Sequence, residues 1–157
     1  MGSNAVPFLI ATLGKTDGPL QQVYFCCYPK LPVKLRKKLP HPASADVLRG
    51  RAIIALTLIG PTAKPAIPSL LRVLAKDTNA FRRANAVMCL DAVDNGNYQE
   101  EVVDAWLRAR SDPDPKVERQ AVGVLKRRFP LGVFRMDFRE MSYAREGADI
   151  NEKAYKK

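Results

Sequence analysis

The sequence predicts an all-α protein: a short α-solenoid of about three stacked helical hairpins, with a long insertion in the first. Three observations carry this expectation. Two different apolar patterns recur along the chain, both recur with one shared period, and turn-forming residues fall between them.

The first pattern is Ala-(Val/Ile)-Pro-x-Leu-(Leu/Ile)-x-x-Leu. It runs from Ala5-Val6-Pro7 to Leu13 and again from Ala66-Ile67-Pro68 to Leu74. The second places a hydrophobe before Arg, then Ala three residues later and Leu four after that. Its copies are Leu48, Arg49, Ala52 and Leu56, then Arg83, Ala86 and Leu90, then Val117, Glu118, Ala121 and Leu125. Ala52 and Ala86 are 34 residues apart, and Ala86 and Ala121 are 35 apart. A third copy of the first pattern is due about one period after Ile67, where Val102-Val103-Asp104-Ala105-Trp106 stands. Offsets of three and four gather the apolar residues of each pattern on one helix face. Trp106 falls on the inward face and reads as core. The recurring alanines suit a place where two helices approach closely.

Helix ends follow in order. Gly60-Pro61 interrupts the chain, Thr62 is positioned to cap the next helix, and Pro65 and Pro68 are tolerated only near a first turn. Asp77-Thr78-Asn79 and Asp91 to Asn97 read as turns, with Asp91 and Asp94 as capping residues. Asp112-Pro113-Asp114-Pro115 separates the last pair. The repeat domain is therefore 1–129, with repeats at about 4–60, 61–95 and 96–129. Residues 130–157 form a non-repeat tail that is partly disordered from about Ala144 on. Within that tail Phe134, Met136 and Phe138 alternate in a short apolar run suited to capping the last hairpin.

The phrase from Arg49 through Ala52, Leu56, Ile59-Gly60-Pro61, Ala63 and Ala66-Ile67-Pro68 to Leu70-Leu71 resembles bacterial HEAT repeats, particularly the short type also found in phycobilin lyases. The resemblance covers roughly residues 4–13 and 47–128. It implies an armadillo-like stack of helices and protein–protein binding, and it carries over no catalytic residues. The period here is shorter than the usual HEAT length of about 40–47 residues.

The insertion, 14–47, breaks the period. Ala5 and Ala52 lie 47 residues apart, whereas Ala66 and Ala86 lie only 20 apart. A helix is expected to begin near Pro19-Leu20, and Pro29, Pro32, Pro40 and Pro42 exclude a regular element through the middle of the insertion. Two readings suit the segment: an ordered flap over the exposed end of the stack, or a binding loop.

Net charge is +10, and it is unevenly placed: residues 28–51 carry +6, 106–128 carry +4, and 52–105 carry −1. Lys34, Arg36, Lys37 and Lys38 form one candidate site for an acidic partner, joined by Arg49 and Arg51 if the insertion folds back. Lys126, Arg127 and Arg128 form another. Arg49 and Arg83, at one repeat position, read as structural links between neighbouring repeats.

His41 is the only histidine, and the cysteines Cys26, Cys27 and Cys89 make no framework. No catalytic, cofactor-binding or metal-ligating residue is therefore assigned, and no small-molecule substrate is expected. No apolar run approaches the roughly 18–20 residues of a membrane span. Met1 to Asn4 carry no secretory signal, which makes the cytoplasm the default reading. The first pattern starts so near Met1 that an upstream part of a longer protein remains an open expectation.

The functional expectation is a non-enzymatic scaffold that binds another protein or peptide. The second reading is a nucleic-acid binder, with the basic clusters on phosphate and Tyr24, Phe25 or Tyr28 stacking on bases. A chromophore lyase, by analogy with the phycobilin lyases, is a third and rests on fold alone.

Overall fold

A computed structural model describes residues 3–97 and 99–129, and among these every regular element is helical. The helices are α1 (Val6–Leu13), α2 (Pro19–Cys27), α3 (Val33–Arg36), α4 (Ala45–Ile59), α5 (Ile67–Lys76), α6 (Ala80–Asp94), α7 (Glu100–Ala109) and α8 (Pro115–Arg128). Single 3-10 segments precede α1, follow α2 and join α4 to α5. The expected tail, 130–157, with its proposed cap and disorder, lies outside the described residues.

The helices pack in two layers. In one, α4 lies against α6 and α6 against α8; in the other, α1, α5 and α7 lie against α4, α6 and α8 respectively. Small residues permit the close packing of the first layer: Ala52, Ala86 and Ala121 are all buried. Between the layers lies one core, with Ile53, Leu56, Leu70, Leu90, Val102, Trp106 and Val124 among its fully buried side chains. Each such side chain stabilises the fold by about 1.5–3 kcal/mol through burial.

The starts of the α4–α6–α8 layer are capped alike. Ser44 Oγ accepts from Val47 N–H, Asn79 Oδ1 from Phe81 N–H, and Asp114 Oδ1 from Lys116 N–H, each a bond of about 1 kcal/mol. Two expected caps are placed differently. Thr62 donates back to the Ile59 carbonyl from within the 3-10 segment, and Ala66, at the N-cap of α5, offers no side-chain cap. Asp91 lies in the last helical turn of α6, which continues to Asp94 and ends on Asn95 in the left-handed conformation.

The helical run Ala45–Lys76 bears on the expectation about membrane spans. Its 18-residue window of mean hydropathy 1.3 is long and apolar enough to cross a membrane by length and composition alone. It is not a straight span, because Gly60 bends it with φ 66° and ψ −137°. Part of its apolar content faces α6, and part forms an exposed stripe described below. An L side chain rarely adopts the Gly60 conformation, although a Cβ there would meet only the Ala92 carbonyl oxygen, at 3.9 Å. Gly60→Ala is therefore expected to destabilise through backbone strain, by about 1–3 kcal/mol. A lower urea midpoint with an unchanged m-value would register it.

The insertion leaves the stack and returns to the same point. Asp17 Oδ1 accepts from Ala45 N–H at 2.7 Å, closing its neck. Its two limbs are zipped together by side chains on one face of α2 and just beyond. Gln21 Nε2 donates to the Ala43 carbonyl, Tyr24 Oη to that of Pro40 at 2.6 Å, and Tyr28 Oη to that of Arg36. The Tyr24 and Tyr28 rings meet edge to face, and Tyr28 also packs on His41. The segment outside the neck is thus 18–43. None of its residues is buried.

Candidate interaction surfaces

The first layer leaves one helix face open. On α6, Phe81, Asn85, Met88 and Ala92 stand at offsets of 0, 4, 7 and 11, a single stripe. On its flanks, Arg82 reaches the α4 side through Asp46, and Asp91 reaches α8 through Arg127 and Arg128. The stripe therefore faces away from α5. One period earlier on α4 stand Val47, Arg51, Ile54 and Leu58, and one period later on α8 stand Lys116, Gln120, Gly123 and Arg127. Val47, Ile54, Leu58, Phe81 and Met88 are all exposed, Leu58 at 83% and Phe81 at 61%. The face is mainly apolar on α4, where exposed Arg51 interrupts it, and on α6, and it turns basic on α8. Sequence reading missed it by following only the core phase of each repeat. The signal was present, since 47 and 81, and 54 and 88, share the 34-residue spacing.

Beside this face, Arg–Asp contacts recur between hairpins. Asp77 and Asp112 stand 35 residues apart, each just before a first-layer helix. Arg49 of α4 lies 3.9 Å from Asp77, and Arg83 of α6 grips Asp112 with two bonds of 2.8 and 2.7 Å. Each aspartate also accepts the N–H two residues on, from Asn79 and Asp114. The Arg83 guanidinium holds the Asp112 carboxyl below its ordinary range, against the opposing effect of burial, with help from Asp114 N–H. At Asp77 burial pushes upward, but Arg82, Asn79 N–H and Arg49 outweigh it, and the carboxyl ends lower as well. Cationic Arg83 is favoured in turn, chiefly by its bonds to Asp112.

The two basic clusters read from the sequence sit on different elements. Lys34 and Arg36 are in α3, Lys37 caps its end, and Lys38 follows; the three lysines are exposed and Arg36 is half-buried. Arg49, expected to join them, is instead turned to Asp46 and Asp77. Lys126 is exposed at the end of α8. Its neighbours bind Asp91: Arg127 at 3.0 Å, and Arg128 through Nε at 2.6 Å and a further bond to the Asp91 carbonyl. Arg128 is thus an α6–α8 link rather than an open cation, and Asp91 is its acceptor rather than a turn cap.

A shallow cleft of about 580 Å³ lies between α5 and α7, over Leu71 and Leu74 and beside Glu101, Asp104 and Asp112. Its acids are largely engaged, Asp104 by Arg108 and Asp112 by Arg83. Among the described residues, no three His, Cys, Asp or Glu side chains converge as a metal site would require. Cys89 is a buried thiol pushed up to about 11 by desolvation, which outweighs its bond to Thr57, and it is a poor nucleophile. No protein-family model, curated protein or solved structure matches the chain.

Proposed function

We propose that the chain is a non-enzymatic scaffold of three HEAT-like hairpin repeats, α1–α4, α5–α6 and α7–α8, which binds a segment of another protein across the α4–α6–α8 face. The observation that carries this reading is the stripe of Val47, Ile54, Leu58, Phe81 and Met88, held open at equivalent repeat positions on adjacent helices. A contiguous exposed apolar patch of this kind marks interaction sites on folded proteins. The polarity of the face defines the partner's chemistry. An amphipathic segment would lay apolar residues on α4 and α6 and acidic ones toward Lys116 and Arg127 on α8.

Site-specific photo-crosslinking tests this. A photoreactive residue at position 58 should trap a discrete partner, and one at position 72, exposed on α5 in the opposite layer, should not. Met88→Glu should abolish the adduct at 58 without lowering the melting temperature. Identical adducts from both positions, or adducts indifferent to Met88→Glu, would refute the reading.

Nucleic-acid binding remains the second reading, supported by the +10 charge. The zipper weighs against it, because Tyr24 and Tyr28 spend their rings and hydroxyls on the insertion itself.

A further inference from the structure

We infer that the tip of the insertion, residues 30–39, docks onto an anionic lipid surface. The rungs of the zipper place this tip farthest from the neck. Asp17 with Ala45, Gln21 with Ala43, Tyr24 with Pro40 and Tyr28 with Arg36 pair the limbs in succession, so the chain turns between Tyr28 and Arg36. Lys30, Lys34, Lys37 and Lys38 are exposed on this turn and the return limb beside it. Among them stand three exposed aliphatic side chains, Val33 at 58%, Leu35 at 51% and Leu39 at 37%. No carboxylate occurs between Asp17 and Asp46, so nothing in the insertion offsets that charge.

The chemistry selects among occupants. A phosphate backbone would use the lysines but gives Val33, Leu35 and Leu39 nothing to bury in, and the tyrosine rings that would stack on bases are turned into the zipper. The arginine fork is the group suited to planar, bidentate recognition of a carboxylate, yet the only arginine of the tip, Arg36, is half-buried with its Nε enclosed. Lysines on flexible stems around short aliphatic side chains suit a fluid layer of anionic headgroups over hydrocarbon. There cations and apolar side chains are satisfied together. The tip lies outside the α4–α6–α8 face, so this inference does not depend on the partner-binding reading.

Co-sedimentation of the full chain with vesicles tests it. Binding is expected to phosphatidylcholine vesicles containing phosphatidylserine, and not to phosphatidylcholine alone. Each lysine near such a surface changes partitioning about fivefold, so changing Lys30, Lys34, Lys37 and Lys38 to Gln should weaken binding several-hundredfold. Changing Val33, Leu35 and Leu39 to Ser keeps every charge and should still weaken it about tenfold or more. Since none of these side chains is buried, both variants should melt as the wild type does. The inference is overturned if the wild type ignores anionic vesicles, if the serine variant binds as well as wild type, or if a nucleic-acid strand binds tightly and equally to both.

Discussion

Asp77→Ala is expected to lower the unfolding free energy by about 3–5 kcal/mol, the range for breaking one side of a buried ion pair. Asp77 and Arg82 are among the most enclosed charges of the described residues, with side chains 4% and 5% exposed. The carboxylate takes both Arg82 Nε at 2.8 Å and a terminal nitrogen at 2.7 Å, accepts Asn79 N–H, and faces Arg49. Without it, Arg82 keeps only the solvent-exposed Asp46, 3.2 Å away. Asp46→Ala, at the surface, should cost about 0.2–1 kcal/mol by contrast. Urea unfolding of the two variants separates these outcomes, and equal small losses would mean that Arg82 finds water or another acceptor. The pH dependence has a definite sign. The folded carboxyl of Asp77 lies below its ordinary value of 3.8, so the unfolded chain binds the proton more readily. The pair's contribution is complete above the ordinary carboxylate range and is lost as pH falls through the folded value. The Asp77→Ala variant should show a flatter loss of stability in acid than the wild type, and Asp112, held down by Arg83, adds to the wild-type slope.

These contacts show how far the sequence could be read. Arg49 and Arg83 stood out because they recur in phase with Ala52 and Ala86, and a residue that recurs beside a helix contact is placed to meet the next hairpin. Their acceptors, 28 and 29 residues on, share that periodicity. Helix faces, the Gly60-Pro61 break and the inward Trp106 were legible for the same reason: each follows from side-chain type and spacing. What was not legible depends on backbone acceptors or on the particular partner of a charge. The zipper of the insertion bonds to the carbonyls of Arg36, Pro40 and Ala43, and a carbonyl leaves no mark in the residue alphabet. Asp91 carries the sequence signature of a turn residue, yet it sits inside the last turn of α6, where Arg127 and Arg128 of α8 reach it. The basic tract Lys126-Arg127-Arg128 looked like one patch for the same reason. A run of like charges says nothing about which members face an acid across a helix interface.

The exposed stripe and the insertion tip also divide the positive charge into different tasks. Arg83 ties α6 to the loop before α8, Arg128 ties α8 to α6, and Arg82 fixes the loop before α6, each through an aspartate, while Lys30, Lys34, Lys37 and Lys38 face solvent. The arginines, with rigid planar forks, fill the sites that need fixed geometry, and the lysines fill those that do not. A scaffold partner for the α4–α6–α8 face and an anionic surface for the tip would therefore use different cations.

The second large effect is expected at Trp106. Its side chain is 1% exposed on α7, on the same inward face as Val102, Val103 and Ala109. Trp106→Ala removes the largest fully buried side chain of the described residues, and it should destabilise by about 3–5 kcal/mol. Among the described residues the indole Nε1–H is buried without a hydrogen-bond partner, which changes the expectation for the aromatic replacement. An unsatisfied buried donor carries a penalty of about 1–3 kcal/mol, and Trp106→Phe removes that penalty along with part of the ring. The two effects oppose each other, so Trp106→Phe should lie within about 1 kcal/mol of the wild type. Circular dichroism in urea is the measurement, because Trp106 is the only tryptophan and the variants lose the fluorescence signal. If Phe costs as much as Ala, the indole N–H has a partner that fixes its orientation. If both leave stability unchanged while partner capture on the α4–α6–α8 face fails, Trp106 is a binding residue. The two-layer packing argues against that second outcome: α7 sits in the opposite layer from the stripe, and its inward face is closed over by α8.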